Sequence, residues 1–122
     1  MKSYTNLEQS LKLAEILPNE SVDMKFPYFG DGQYGRTALF GEPIWFSGGK
    51  DVPCWSLAAL LEVLPYRINK IYDLDFGKLS ANEGWYVCYG DVDYFDKYYV
   101  ANSNLIDACY EMILKLHEEK LL

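Results

Sequence analysis

The clearest pattern in the chain is a two-residue alternation within residues 70–89, KIYDLDFGKLSANEGWYVCY. In the first half, apolar residues at positions 72, 74 and 76 alternate with Asp73 and Asp75. The second half alternates in the same way, with one side formed by Trp85, Val87 and Tyr89. Such alternation is typical of antiparallel strands with one face in the core and one in solvent. We therefore predict paired strands over residues 70–76 and 85–89.

Further elements are predicted on both sides of this pair. A third strand is expected over residues 94–101, followed by a helix that Asn104 caps and that ends near Lys120. Earlier patterns predict helices over residues 5–17 and 53–64, and short strands over residues 22–28, 37–40 and 44–46. Together these elements predict an α+β fold in which a mainly antiparallel sheet carries about three helices on one face.

The starts of the first two helices are assigned from capping patterns. Thr5 and Glu8 have the spacing of a capping box. Asp51 is a candidate cap beside Pro53, a residue that helices accept in their first turn. Apolar residues fill nearly the whole circumference of the second helix, so we expect it to be buried on most sides.

Length and composition restrict the class of protein. The 122 residues are the size of one ordinary domain, so a single domain over residues 1–122 is predicted. Eleven Lys and Arg against 18 Asp and Glu give a net charge of −7, the opposite of the basic surface that binds phosphates. Direct binding to nucleic acid is therefore not expected.

Cysteine usage and the absence of long apolar runs predict a cytoplasmic location. Cys54, Cys88 and Cys109 are an odd number with no C-x-x-C pair, which favours a reducing compartment. Polar residues interrupt the N-terminal segment, which does not resemble a signal peptide. No apolar run approaches the about 18 residues of a membrane span, so no membrane partner is expected.

Residues 30–35, from Gly30 to Gly35, match the pattern G-x-G-x-x-G, and Asp51 follows about twenty residues later. A dinucleotide site needs a helix that begins at this loop, and Gly41 and Pro43 leave no room for one. We therefore interpret the segment as a mobile hairpin loop, with no cofactor.

Two further groups of residues have candidate chemistry. Cys54 at a predicted helix start and His117, the single imidazole, are the candidates for a nucleophilic pair, although ordinary burial of the cysteine is favoured. The acidic residues Asp91, Asp93 and Asp96, with Asp73 and Asp75, have carboxylates that suit calcium or magnesium. The EF-hand template fails because Asp96 replaces its glycine and Asn102 its glutamate, so a solvated acidic edge without metal is favoured.

Tyrosines are abundant, 11 of the 122 residues, and several fall in irregular or solvent-facing positions. An amphipathic tyrosine ring suits a protein interface. Tyr66 belongs to this group, and the predicted binding residues are Tyr86, Tyr94, Tyr98, Tyr99, Asp91, Asp93 and Asp96.

Three segments carry a resemblance to other proteins: residues 4–18 with YTNLEQS and LAEILP, residues 53–61 with PCWSLAALL, and residues 107–118 with DACYEMILKLHE. In these segments the chain resembles short uncharacterised proteins of gut Bacteroides genomes, phages and other mobile elements. The resemblance implies a small accessory protein of a bacterium or its phage. It implies no activity and no site residues.

The favoured function is a non-enzymatic module that binds another protein through its acidic, aromatic strand surface. A variant of this hypothesis is an acidic decoy that occupies a nucleic-acid-binding protein. The alternative is a small enzyme or ligand-binding protein that uses Cys54 and His117 beside the loop of residues 30–35.

Overall fold

The structure is a computed structural model that describes residues 2–35, 39–40, 51–80, 83–91 and 96–122. The helices are α1 (Leu7–Ala14), α2 (Leu57–Val63) and α3 (Leu105–Glu118), with a 3-10 turn at Asn19–Ser21. The strands are β1 (Met24–Phe26), β2 (Tyr28–Gly30), β3 (Gln33–Tyr34), β4 (Leu39–Phe40), β5 (Val52–Cys54), β6 (Arg67–Ile68), β7 (Tyr72–Lys78), β8 (Trp85–Gly90) and β9 (Asp96–Asn102). The predicted strand over residues 44–46 lies outside the described residues.

The α+β class is confirmed, because the helices accompany antiparallel strands throughout. The strands form three sheets in the orders β4-β1-β5, β2-β3 and β6-β7-β8-β9. The chain divides into two compact units: an N-terminal unit, Ser3–Leu60, and a C-terminal unit, Leu61–Leu122 together with Met1–Lys2. The single domain over residues 1–122 stays a prediction.

The N-terminal unit is built around the short sheet β4-β1-β5, with α1 in contact with β5. Met24 pairs with Cys54 and Phe26 with Val52, and all four side chains are buried in one core. This small core depends on matched apolar residues of two three-residue strands.

Helix α1 begins two residues later than predicted. Asn6, not Thr5, is the cap: its side chain accepts the backbone N–H of Gln9, whose own side chain accepts the N–H of Asn6. Thr5 is instead fully buried. A capping box is therefore present, but Asn6 and Gln9 form it, each one residue after the predicted pair of Thr5 and Glu8.

The predicted start of the second helix is wrong. Residues 52–54 form strand β5, in which Pro53 is accommodated because β5 is an edge strand of its sheet. The helix begins at Leu57, where the Ser56 hydroxyl accepts the N–H of Ala59. Of the α2 residues only Leu60 is buried, so the expectation of burial on most sides is also wrong.

Asp51 does not cap this helix. Its carboxylate pairs with the Lys25 ammonium at 3.0 Å and accepts the backbone N–H of Tyr28 at 2.7 Å. The side chain thereby connects β1 and the start of β2, which are joined in sequence only through Pro27.

The predicted hairpin at residues 30–35 is confirmed. Gly30 of β2 pairs with Gln33 of β3 across the turn residues Asp31 and Gly32, and Gly30, Asp31 and Gly32 all have positive φ. Glycine adopts that conformation without steric cost, which explains why two of the three positions are glycine. A strand follows the loop, as the hairpin interpretation requires.

The C-terminal unit is a four-stranded meander covered by α3, which contacts β8 and β9. The predicted strands over residues 70–76, 85–89 and 94–101 correspond to β7, β8 and β9, and Asn104 caps α3 as predicted. Val87, Tyr89 and Val100 of the sheet are buried, as is the apolar side of α3. Because α3 covers one side of the sheet, the opposite side faces solvent.

Strand β6 was not predicted. It pairs with β7 through a turn in which Asn69 and Lys70 both have positive φ. Two central residues with positive φ are typical of a type I′ turn, which usually has glycine at the second of them. Lysine at position 70 therefore did not indicate a hairpin.

Candidate functional site

The solvent side of the four-stranded sheet carries three of the seven residues predicted for binding: Tyr86, Asp96 and Tyr99. Strand pairing forms three rows across it: Asp73–Gly90–Asp96, Asp75–Cys88–Tyr99 and Gly77–Tyr86–Ala101. Because paired residues point to the same side of a sheet, these rows share the side opposite α3. We call this surface the acidic tyrosine face and define it by Asp73, Asp75, Tyr86, Cys88, Asp96 and Tyr99.

A register shift in β9 determines the charge at one end of this face. Tyr89 pairs with Tyr98, but the next residue of β8, Gly90, pairs with Asp96. Lys97 is therefore the extra residue of a β-bulge. In a regular register Lys97 would pair with Gly90, so the bulge exchanges an ammonium for a carboxylate in this row.

Two stacked rings form the aromatic part of the face. The Tyr86 and Tyr99 rings lie 6.1 Å apart between centroids and 9° from parallel. The Tyr86 hydroxyl donates to the Asp75 carboxylate at 2.9 Å, and this hydrogen bond raises the pKa of Tyr86. Gly77 leaves the room for the ring, since a Cβ there would meet the Tyr86 ring at 3.0 Å.

An ion pair lies at the β6 side of this face. Arg67 Nε donates to Asp73 Oδ1 at 2.6 Å, and this hydrogen bond lowers the pKa of the Asp73 carboxyl. The guanidinium also lies 5.8 Å from the centre of the Tyr66 ring. Sequence reasoning missed Arg67, because its role depends on the unpredicted strand β6.

An acidic cleft of about 270 Å³ opens on this side of the sheet. It is lined by Asp73, Leu74, Asp75, Cys88, Gly90, Asp91 and Asp96. Gly90 contributes no side chain, which leaves space between the carboxylates of its row. The arrangement concentrates negative charge around this recess.

Cys88 lies among these carboxylates and is 5% exposed. Burial first, and then the Asp96 and Asp75 carboxylates, raise the pKa of its thiol to about 11. The thiol is therefore neutral near pH 7 and is not an activated nucleophile. Among the described residues, no group of three or more His, Cys, Asp or Glu side chains is arranged to hold a metal ion.

The structure brings together only part of the predicted binding set. Tyr86, Tyr99 and Asp96 share the face, and Asp91 lines its cleft. Tyr98 pairs with buried Tyr89 and so lies on the α3 side of the sheet. Asp93 and Tyr94 lie outside the described residues.

The premise for a nucleophilic Cys54 is wrong. Cys54 lies in strand β5 rather than at a helix start, and its buried thiol donates to the Thr5 carbonyl at 3.4 Å. Burial raises the pKa of this thiol, the opposite of activation. His117 is exposed near the end of α3, where its Nδ1 lies 3.0 Å from the Leu122 carbonyl oxygen. The two residues belong to different compact units.

Comparison with known proteins gives no further assignment. The chain matches no protein-family model, no curated protein and no solved structure. Within the described part of the chain, no helix is long and apolar enough to cross a membrane.

Proposed function

We propose that this protein is a non-enzymatic binding module whose acidic tyrosine face binds a basic segment of another protein. The observation that carries the proposal is the stacked Tyr86–Tyr99 pair beside a cleft lined by four aspartates. Aromatic rings attract cations at their faces, and carboxylates pair with ammonium and guanidinium groups. The surface thus combines both kinds of group that recognise Lys and Arg.

The size of each contact favours a segment over a single side chain. An exposed ion pair contributes about 0.5 kcal/mol and an exposed cation–π contact about 0.5–1 kcal/mol. Micromolar binding requires about 8 kcal/mol, so several basic residues and the contact area between them are needed. A net charge of −7 also speeds the approach of a basic partner.

The tyrosine rings are held in place before any partner arrives. Tyr86 is fixed by its hydrogen bond to Asp75 and by its stack on Tyr99. Side chains that are already ordered lose less conformational entropy on binding. This preorganisation supports the face as a binding surface rather than as a solvated edge alone.

The proposal includes the cellular setting. Three free, buried cysteines suit a reducing cytoplasm. The sequence resemblance in residues 4–18, 53–61 and 107–118 supports an accessory protein of a bacterium or its phage.

The test uses a fluorescein-labelled peptide as long as β9 with Arg at every second position, and measures its affinity by fluorescence anisotropy. The double variant Asp75→Asn/Asp96→Asn removes two charges from the face, while the amide oxygen introduced at position 75 can still accept the Tyr86 hydroxyl. Two ion pairs of about 0.5 kcal/mol each predict a weakening of roughly fivefold.

The matched control is Glu118→Gln/Glu119→Gln, which removes the same charge from the exposed end of α3. We expect it to weaken binding less than about twofold, since its residues lie outside the face. Equal weakening by both double variants, or no binding to the native protein, would overturn the proposal.

A further inference from the structure

In the described part of the chain, the outer strand of the four-stranded sheet, β9, has an open edge. The strand order is β6-β7-β8-β9, and among the described residues β9 pairs with β8 alone. An edge strand presents backbone N–H and C=O groups that a further strand can pair with. Seven residues, Asp96–Asn102, form this edge.

We propose that the basic segment binds by strand addition to β9, so that its backbone extends the sheet and its alternate side chains cover the acidic tyrosine face. This inference rests on the proposed function and adds the mode of binding. In such added-strand complexes, backbone hydrogen bonds supply affinity and alternate side chains supply specificity.

The register of β9 defines what the added side chains meet. A residue opposite Tyr99 lies on the acidic tyrosine face, since paired residues share a side. Adjacent strands lie about 4.8 Å apart, so a Lys or Arg there reaches the Tyr99 ring. A long side chain also reaches diagonal neighbours, which places Asp96 within its range.

Negative charge is present on the helix side of the same edge as well. Asn102, the last residue of β9, donates from its side chain to the exposed Glu111 carboxylate of α3 at 2.9 Å. Side chains of the added strand that point to the α3 side therefore approach a second carboxylate. Carboxylates on both sides of the edge favour a basic segment as the occupant.

A second copy of this chain fits the edge less well. Each copy carries a net charge of −7, so two copies repel each other. The bulge at Lys97 also interrupts one end of β9, and bulges and charges are features that reduce pairing between identical edges. The charge complementarity selects a basic partner.

As far as the described residues show, the sheet has a second open edge along part of β7. β6 covers only the first part of β7, and the Leu74 N–H donates to the Tyr66 carbonyl. The uncovered part of β7 is Asp75 to Lys78, and it ends in a basic residue. This part of β7 offers fewer backbone N–H and C=O groups for pairing than β9 does. Its lysine also makes it less complementary in charge to a basic segment.

The test compares two N-methylated versions of the alternating-Arg peptide with the native protein. One version is methylated on the amides of odd-numbered residues and the other on those of even-numbered residues. The two have the same side chains and charge, but a strand paired along one edge uses only one of these amide sets. Strand addition predicts that one version loses affinity at least about tenfold relative to the other.

Equal affinity of the two versions would overturn strand addition while leaving the proposed function intact. Failure of the unmethylated peptide to bind would instead overturn the proposed function. The two failures are therefore distinguishable.

Amide hydrogen exchange locates the edge. Strand addition to β9 predicts that the peptide protects amides within Tyr98 to Asn102 that exchange quickly in the free protein. Protection of the outer amides of β7 in their place contradicts the assignment. Protection of β9 that rises with protein concentration without peptide, together with a dimer in sedimentation, also overturns it in favour of a second copy.

Discussion

The two compact units stabilise their strands in different ways. In the N-terminal unit the strands are two or three residues long, and side chains of residues that flank them, such as Asp23 and Asp51, form hydrogen bonds between neighbouring segments. In the C-terminal unit, strands of up to seven residues pair in a continuous meander, and α3 supplies an apolar cover. Where regular pairing is short, specific polar contacts take over part of the stabilisation.

The polar contacts of the N-terminal unit centre on Thr5. Its hydroxyl shares a 2.7 Å hydrogen bond with Ser10 and accepts the backbone N–H of Trp55 at 3.2 Å. Asp23 accepts both the N–H and the hydroxyl of Ser56. Every buried side-chain nitrogen and oxygen of the described residues has a hydrogen-bond partner, as folding into a low-dielectric interior requires.

The largest effect is expected in the apolar layer of the C-terminal unit. Met112 is fully buried in α3, so Met112→Ala leaves a cavity and is expected to cost about 3 kcal/mol of unfolding free energy. Urea denaturation measures this change. Lys115→Ala, on the exposed side of the same helix, should change stability by less than about 0.5 kcal/mol. Similar losses in the two variants would contradict an apolar layer under α3.

A smaller loss is expected from one polar contact of the N-terminal unit. Asp51→Asn keeps an acceptor for the Tyr28 N–H but removes the carboxylate that pairs with Lys25, whose side chain is 17% exposed. We expect a cost of about 2 kcal/mol, since a largely buried ammonium loses the Asp51 carboxylate. The same denaturation assay with exposed Glu20→Gln is the control, expected below about 0.5 kcal/mol. An Asp51→Asn variant as stable as this control contradicts the structural role of the ion pair.

The smallest effect concerns the pH dependence of the two most buried thiols. Burial raises the pKa of Cys109 to about 12, whereas hydrogen bonds from Thr5 and Ser10 oppose the effect of burial on the pKa of Cys54. A raised pKa in the folded state means that stability falls as pH rises above about 9, the ordinary value. Cys109→Ala should therefore flatten the alkaline loss of stability more than Cys54→Ala does.

Unfolding midpoints measured from about pH 8 upward test this difference. Tyr89, whose pKa burial also raises, titrates in the same direction, so the comparison is made between the two variants rather than with the native protein alone. Equal slopes for Cys109→Ala and Cys54→Ala would show that the hydrogen bonds do not distinguish the two thiols.

The same contrast explains which elements could be predicted. The long alternating strands and the amphipathic helix capped by Asn104 follow local periodicity, so β7, β8 and α3 were predicted near their observed bounds. In the N-terminal unit, tertiary contacts override local pattern. The apolar run after Pro53 has helical character, yet pairing with β1 draws residues 52–54 into a strand.

Composition and periodicity alone establish that this chain is acidic, rich in tyrosine and folded as α+β, because these properties depend on residue types and their local spacing. Which side chains meet depends on strand register, a long-range property. The pairing of β7, β8 and β9 joins Tyr86 to Tyr99 and sends Tyr98 to the other side of the sheet. The bulge at Lys97 then brings Asp96 to the cleft, a one-residue shift that no local pattern encodes.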